Sequence, residues 1–134
     1  MKSKIKITTT QYDQDNNKEV LDFSFDGDFI KKNNKIHLGY KEENITNKIT
    51  VDLDKKEVIS KKLGMINSEM IFSKDNKHSL KYKTHLGIFD MIVSTNNLDI
   101  EVFEEELKMK IDYNLEVKNL FKGKNILDIT VEKV

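Results

Sequence analysis

The chain has 134 residues, a length that fits one compact domain with an ordinary hydrophobic core. Its 23 basic and 23 acidic side chains cancel, so the sequence lacks the positive charge of a general nucleic-acid-binding protein. Because cysteine is absent, disulfide bonds, thiolate metal sites and cysteine nucleophiles are excluded.

The N-terminal residues alternate polar and apolar side chains and do not form the continuous apolar core of a signal peptide. No segment approaches the roughly 18–20 apolar residues that a membrane-spanning helix requires. We therefore expect a cytoplasmic protein that does not associate with membranes.

In the first half of the chain, apolar side chains recur at every second position, which predicts β-strands with one buried face. The expected strands are centred on four sets of alternating residues: Ile5, Ile7 and Thr9; Leu21, Phe23, Phe25 and Phe29; Ile36, Leu38 and Tyr40; Ile49, Val51 and Leu53.

The second half of the chain keeps the same period, most clearly over 107–117, where every second residue is apolar. In a helix these positions would step by about 200° and scatter over both faces, so the pattern predicts a strand. Further strands are expected near 57–63, 66–72, 78–86, 88–95 and 124–134, with the weakest pattern at 98–103. Turn-forming clusters separate these segments, among them Asn96-Asn97.

Nine to eleven short strands in so small a chain leave edges that closure into a barrel would remove. We therefore expect residues 1–134 to form a single all-β domain, a closed antiparallel barrel of about eight to ten strands with mostly meandering connections and little helix. An open two-sheet sandwich is the alternative. Gly27, inside the long second strand, suits a bend or a β-bulge.

The alternation also predicts which side chains form the core and which face solvent. His37 and His85 are out of phase with their apolar neighbours, so they should be exposed. Six apolar residues should be largely buried: Phe23, Phe25, Leu38, Val51, Ile111 and Leu115.

Familiar catalytic and cofactor motifs are absent from the sequence. The segment that begins at Asp13 resembles the start of a calcium loop, but Lys18 replaces the turn glycine and Ser24 stands where the bidentate glutamate belongs. The glycines form neither a P-loop nor a dinucleotide fingerprint. We predict no catalytic residue, no metal site and no cofactor.

Several polar side chains share the inward parity of their apolar neighbours: Tyr40, Glu42, Tyr82, Thr84 and Tyr113. One interpretation is that the tyrosines fill core volume and find hydrogen-bond partners there, while Glu42 emerges into water at the end of its strand. The other is that these groups form the polar end of a cavity, since ligand sites combine apolar walls with a few placed polar groups.

Seven short motifs occur in an order and spacing that resemble the DUF1934 family of small bacterial proteins over nearly the whole chain. They are Gly27, Leu38-Gly39-Tyr40-Lys41-Glu42, Lys62-Leu63-Gly64, Met70-Ile71-Phe72, Tyr82-Lys83-Thr84-His85-Leu86-Gly87, Ser94-Thr95 and Ile111-Asp112-Tyr113. The resemblance implies a calycin-like β-barrel, the broad architecture of lipocalins, and implies no activity. The family pattern tends to have arginine where this chain has Lys62, which keeps the charge but loses the planar, bidentate fork.

Alternate strands of a meander run in the same direction, so the segments that end near Glu42, Leu63 and Leu86 should finish at one end of the barrel. Lys62 has the parity of Val58, and the resemblance to the family, whose pattern has apolar residues at 58 and 60, implies that Lys62 points inward, toward Glu42. The candidate site for the polar head of a ligand therefore comprises Tyr40, Glu42, Lys62, Tyr82, Thr84 and Tyr113, with Phe23, Phe25 and Leu38 lining the apolar part. The alternative is a salt bridge that only closes the barrel end.

Three functions from different classes are compatible with these features. The first is binding of a small apolar ligand inside the barrel, and the second is a packed structural or protein-interaction module with no small ligand and an unidentified partner. An enzyme is the least supported, because no nucleophile–base pair can be recognised. An interior cavity of roughly 300 Å³ or more would favour the first function.

Overall fold

The computed structural model describes residues 1–104 and 106–134, and its described residues form β-structure and turns without a helix. Accordingly, no helix in this part of the chain is long and apolar enough to cross a membrane. The ten strands are β1 (Lys2–Tyr12), β2 (Lys18–Lys32), β3 (Lys35–Glu42), β4 (Ile45–Asp52), β5 (Glu57–Gly64), β6 (Ser68–Ser73), β7 (Lys77–Thr84), β8 (Gly87–Val102), β9 (Glu106–Val117) and β10 (Phe121–Lys133).

All ten strands belong to one antiparallel sheet in the order β6-β5-β4-β3-β2-β1-β10-β9-β8-β7. Strands adjacent in sequence are adjacent in space, and β1 pairs with β10, as in the expected meander. The two outer strands approach one another at a seam between β6 and β7, so the sheet curls into a nearly closed barrel. This confirms the all-β barrel predicted from the period-two pattern.

The β6–β7 seam has few backbone hydrogen bonds. Near one end, Asn67 and Lys83 exchange two of them, each 2.9 Å long. Farther along, the imidazole Nε2 of His78 on β7 lies 3.3 Å from the carbonyl oxygen of Glu69 on β6. At this seam a side chain thus takes part in holding two strands together, whereas other neighbouring strands are joined by a ladder of backbone hydrogen bonds.

The core consists of the inward-facing residues of the strands, as the parity of the sequence predicts. Leu38, Val51 and Ile111 are buried, as expected, and His37 and His85 are exposed. Phe25 and Leu115 are only partly buried. Leu115 pairs with Gly123 on β10 and borders an open groove.

The prediction that Phe23 is largely buried is wrong, since 45% of this residue is exposed. Among the described residues, β3 pairs with β2 only over residues 27–32, so the earlier part of β2 pairs with β1 alone. Phe23 lies in that earlier part. Its ring faces the interior of the barrel, but at an open end.

One expectation about a strand irregularity is also corrected. Asn96-Asn97 is not a turn between strands but part of β8, where the pairing with β9 shifts register between Thr95 and Asn97. The weakly patterned segment 98–102 therefore continues the same strand beyond a bulge. At Gly27 the register with β1 contains no β-bulge, and the pairing of β2 with β3 begins at this residue.

The absence of a side chain at Gly27 permits close packing of the inward face. A Cβ atom there would lie 2.7 Å from Ile5 Cδ1 and 3.2 Å from Tyr40 Cβ. Ile5 and Tyr40 therefore occupy the volume that a side chain at position 27 would need, and this arrangement holds Tyr40 at the wall of the barrel interior.

Candidate ligand-binding site

A cavity of about 460 Å³ lies inside the barrel toward the end where β3, β5 and β7 finish. Its walls combine aliphatic and aromatic side chains with hydroxyl, amide and charged groups. The lining residues are Ile7, Thr9, Gln11, Phe23, Phe25, Tyr40, Glu42, Ile49, Ser60, Lys62, Met70, Phe72, Tyr82, Tyr113, Leu127 and Ile129.

Five of the six residues predicted for the polar part of the site line this cavity: Tyr40, Glu42, Lys62, Tyr82 and Tyr113. Thr84 is not part of the lining. Its hydroxyl donates to the carbonyl oxygen of Gly87 at 3.2 Å and accepts a hydrogen bond from the backbone N–H of Leu86 at 3.1 Å. Thr84 therefore stabilises the turn between β7 and β8, a local role that strand parity does not reveal.

Aromatic contacts hold two of the tyrosines in place. The ring of Tyr40 stacks on Phe25 with the ring centroids 4.5 Å apart, and Phe23 continues the stack at 6.2 Å from Phe25. Tyr113 on β9 packs against Phe72 on β6, with centroids 4.9 Å apart. Phe23 and Phe25 thus line the cavity as expected, whereas Leu38 lies in the core outside it.

The charged pair expected at this end of the barrel, Glu42 and Lys62, is present, and Asn47 forms hydrogen bonds with both members. Lys62 Nζ lies 3.5 Å from Glu42 Oε1 and donates to Asn47 Oδ1 at 2.9 Å, while Asn47 Nδ2 donates to Glu42 Oε1 at 3.0 Å. Asn47 itself is 2% exposed. The sequence interpretation did not include Asn47, although its parity with the inward-facing Ile49 would have identified it.

The environment of the three cavity tyrosines favours their neutral form. Burial raises the pKa of Tyr113 to about 12. Burial and, to a smaller extent, the negative charge of Glu42 raise the pKa of Tyr40 and of Tyr82 above the usual value. All three hydroxyls therefore carry their protons at neutral pH and can donate hydrogen bonds.

These shifts predict a loss of stability at alkaline pH. In the unfolded chain the tyrosines titrate near pH 10, so the unfolded state releases protons that the folded state retains. Stability should be fully present below about pH 10 and fall as the pH rises toward about 12. The urea midpoint of unfolding, measured as a function of pH over this range, should decline less steeply for Tyr113→Phe than for the wild type. Equal slopes would contradict the conclusion that burial raises the pKa of Tyr113.

Grooves of similar volume occur on the outside of the barrel but have a different character. One of about 520 Å³ runs along β8, β9 and β10 and includes Asp99, Lys108, Lys110 and Asp128. Alternating charges of this kind are typical of a solvated face. In the described part of the chain, no group of three or more histidine, aspartate or glutamate side chains is placed to hold a metal ion.

Comparisons with known proteins agree with this architecture. Over 122 residues, the chain is 27% identical to the uncharacterized β-barrel protein YwiB of Bacillus subtilis (strain 168). The alignment covers 90% of this chain and 86% of that protein. The crystal structure of the Bacillus subtilis ywiB protein matches with a TM-score of 0.88 at 23% identity, over 99% of this chain and 92% of that one, and shows the same fold. The family described as a domain of unknown function, DUF1934, matches residues 5–129, and the chain therefore belongs to the DUF1934 family.

Proposed function

We propose that this protein binds a small, largely apolar molecule inside the barrel and orients the molecule's polar group beside Tyr40, Tyr82 and Tyr113. The observation that carries this proposal is the cavity of about 460 Å³, which falls within the range of roughly 300–1,000 Å³ typical of small-molecule sites. A packed structural module would instead fill its barrel with its own side chains.

The composition of the walls supports the same function. Isoleucine, leucine, methionine and phenylalanine side chains offer apolar surface to the guest, and burial of such surface is the main source of affinity. Half of the sixteen lining side chains carry polar groups, and tyrosines account for three of these eight. This mixture suits a molecule with an apolar body and one polar end.

The test is to fill the cavity with protein and measure binding of the uncharged fluorophore N-phenylnaphthylamine. Thr9 lines the cavity, whereas the adjacent Thr10 on the same strand points to the outer face of the barrel. We expect Thr9→Phe to weaken binding at least about tenfold, or about 1.4 kcal/mol, because the added ring occupies the volume of the guest. Thr10→Phe adds the same ring outside the cavity and serves as the matched control.

Two results would contradict the proposed function. One is that the wild-type protein does not bind the fluorophore, and the other is that the Thr9 and Thr10 variants bind it equally well. Native mass spectrometry of the protein as purified provides an independent measurement, because a bound molecule adds its mass to that of the chain. Circular dichroism of both variants should match the wild type, which shows that they remain folded.

A further inference from the structure

The three cavity tyrosines present hydroxyl donors that the protein itself does not use. Tyr40 and Tyr113 are each only 9% exposed. No hydrogen bond described within the chain involves the hydroxyl of Tyr40, Tyr82 or Tyr113, and none of these oxygens is among the described atoms that are fully buried without a partner, so they face the open volume of the cavity. A guest that enters the cavity can therefore accept hydrogen bonds from these hydroxyls.

The nearby charges, in contrast, are already balanced. Glu42 and Lys62 form an ion pair, and Asn47 bridges them by donating to the carboxylate and accepting from the ammonium group. The group carries no net charge. A ligand therefore needs no charge of its own to neutralise this end of the cavity.

Ligands with a charged head gain little net attraction from this pair. For a head of either sign, attraction to one member of the pair is offset by repulsion from the other, because the two charges lie 3.5 Å apart. A cationic head, in addition, could not accept the hydrogen bonds that the tyrosines offer. The cost of removing a charged head from water is therefore not repaid at this site.

We propose that the polar group of the ligand is an uncharged oxygen acceptor, such as a carbonyl or hydroxyl oxygen, which receives hydrogen bonds from the cavity tyrosines. This inference rests on the proposed function and narrows its ligand class. The body of the ligand remains apolar, as the aliphatic and aromatic walls of the cavity require.

The experiment compares ligands that share a ten-carbon skeleton and differ in the polar group. Methyl octyl ketone, decanol, decanoate and decylamine compete at neutral pH with N-phenylnaphthylamine bound to the wild-type protein. The ketone and the alcohol should displace the fluorophore at concentrations at least about tenfold lower than the two charged ligands, as the cost of charge burial predicts. Tighter binding of decanoate or decylamine would overturn the inference.

Tyrosine variants separate hydrogen bonding from general hydrophobicity. Tyr82→Phe and Tyr113→Phe each remove one hydroxyl and should weaken the ketone roughly two- to tenfold, the effect of one ordinary hydrogen bond. Tyr12 is not part of the cavity lining, so Tyr12→Phe is the matched control and should leave ketone binding unchanged.

The outcomes distinguish this inference from the function on which it rests. If the fluorophore binds and Thr9→Phe blocks it, but the Tyr82 and Tyr113 variants bind the ketone as the wild type does, the inference is wrong and the proposed function stands. If the wild-type protein binds no fluorophore, both are overturned.

Discussion

Replacement of Gly27 by alanine is expected to destabilise the protein by about 3 kcal/mol, the upper end of the usual range for overpacking. The added Cβ would overlap the carbonyl oxygen of Gly39 and lie 2.7 Å from Ile5 Cδ1. Because one of these contacts is with backbone, a rotamer change cannot relieve it. The β2–β3 pairing would have to shift, and with it the position of Tyr40.

Gly39, on the neighbouring strand, provides the matched control. A Cβ atom there would meet only the carbonyl oxygen of Asn47 at 3.9 Å, an ordinary contact. Gly39→Ala should therefore be neutral or stabilise the protein by about 0.4–1 kcal/mol, since alanine restricts the unfolded chain. In urea unfolding, the midpoint should fall for Gly27→Ala and should stay unchanged or rise for Gly39→Ala. Equal midpoints would show that the close packing around Gly27 is not as described.

Replacement of Ile111 by alanine should cost about 2–5 kcal/mol of unfolding free energy. Ile111 is 0% exposed and lies between Leu98 on β8 and Leu127 on β10, so truncation leaves a cavity that its neighbours fill only in part. This loss is a large fraction of the roughly 5–15 kcal/mol by which a typical small protein is stable at 25 °C.

Denaturant unfolding measures this effect, and Ile30→Ala is its control. Ile30 is also an isoleucine within a strand but is 55% exposed, so its truncation should change stability by no more than about 0.5 kcal/mol. Phe25→Ala should fall between the two, because Phe25 is partly buried and already borders the cavity. An effect at Ile30 as large as that at Ile111 would contradict the assignment of inner and outer faces.

The alternation of apolar residues was sufficient to predict most of the strands, because in a β-strand the period of the sequence directly records which face is buried. The choice of a barrel over an open sandwich followed from the need to remove strand edges. Alternation also placed Tyr40 and Glu42 on the inner face, whereas the placement of Lys62 used the family resemblance as well. Parity alone could not show that Asn96 begins a bulge and not a turn, since asparagine is common at both. The choice depends on pairing with β9, a contact between segments distant in sequence.

The errors at Phe23 and Thr84 have a related physical origin. Parity gives the direction of a side chain but not how far the neighbouring strand extends, and β3 does not pair alongside Phe23. Thr84 has the inward parity, yet its hydroxyl forms local bonds at the β7–β8 turn. Asn47 could have been found, because it follows the parity of Ile49 and Val51.

The wall of the barrel should open more easily at the seam between β6 and β7 than between its other neighbouring strands. Separation of β5 from β6 breaks a ladder of six residue pairs, and separation of β9 from β10 breaks one of twelve. At the seam, the described backbone–backbone hydrogen bonds are confined to Asn67 and Lys83, and the imidazole of His78 lies close to the carbonyl oxygen of Glu69. Local fluctuations that leave the rest of the sheet intact should therefore concentrate there. A guest too wide for the open end of the barrel would then have a lateral route to the interior that does not require global unfolding.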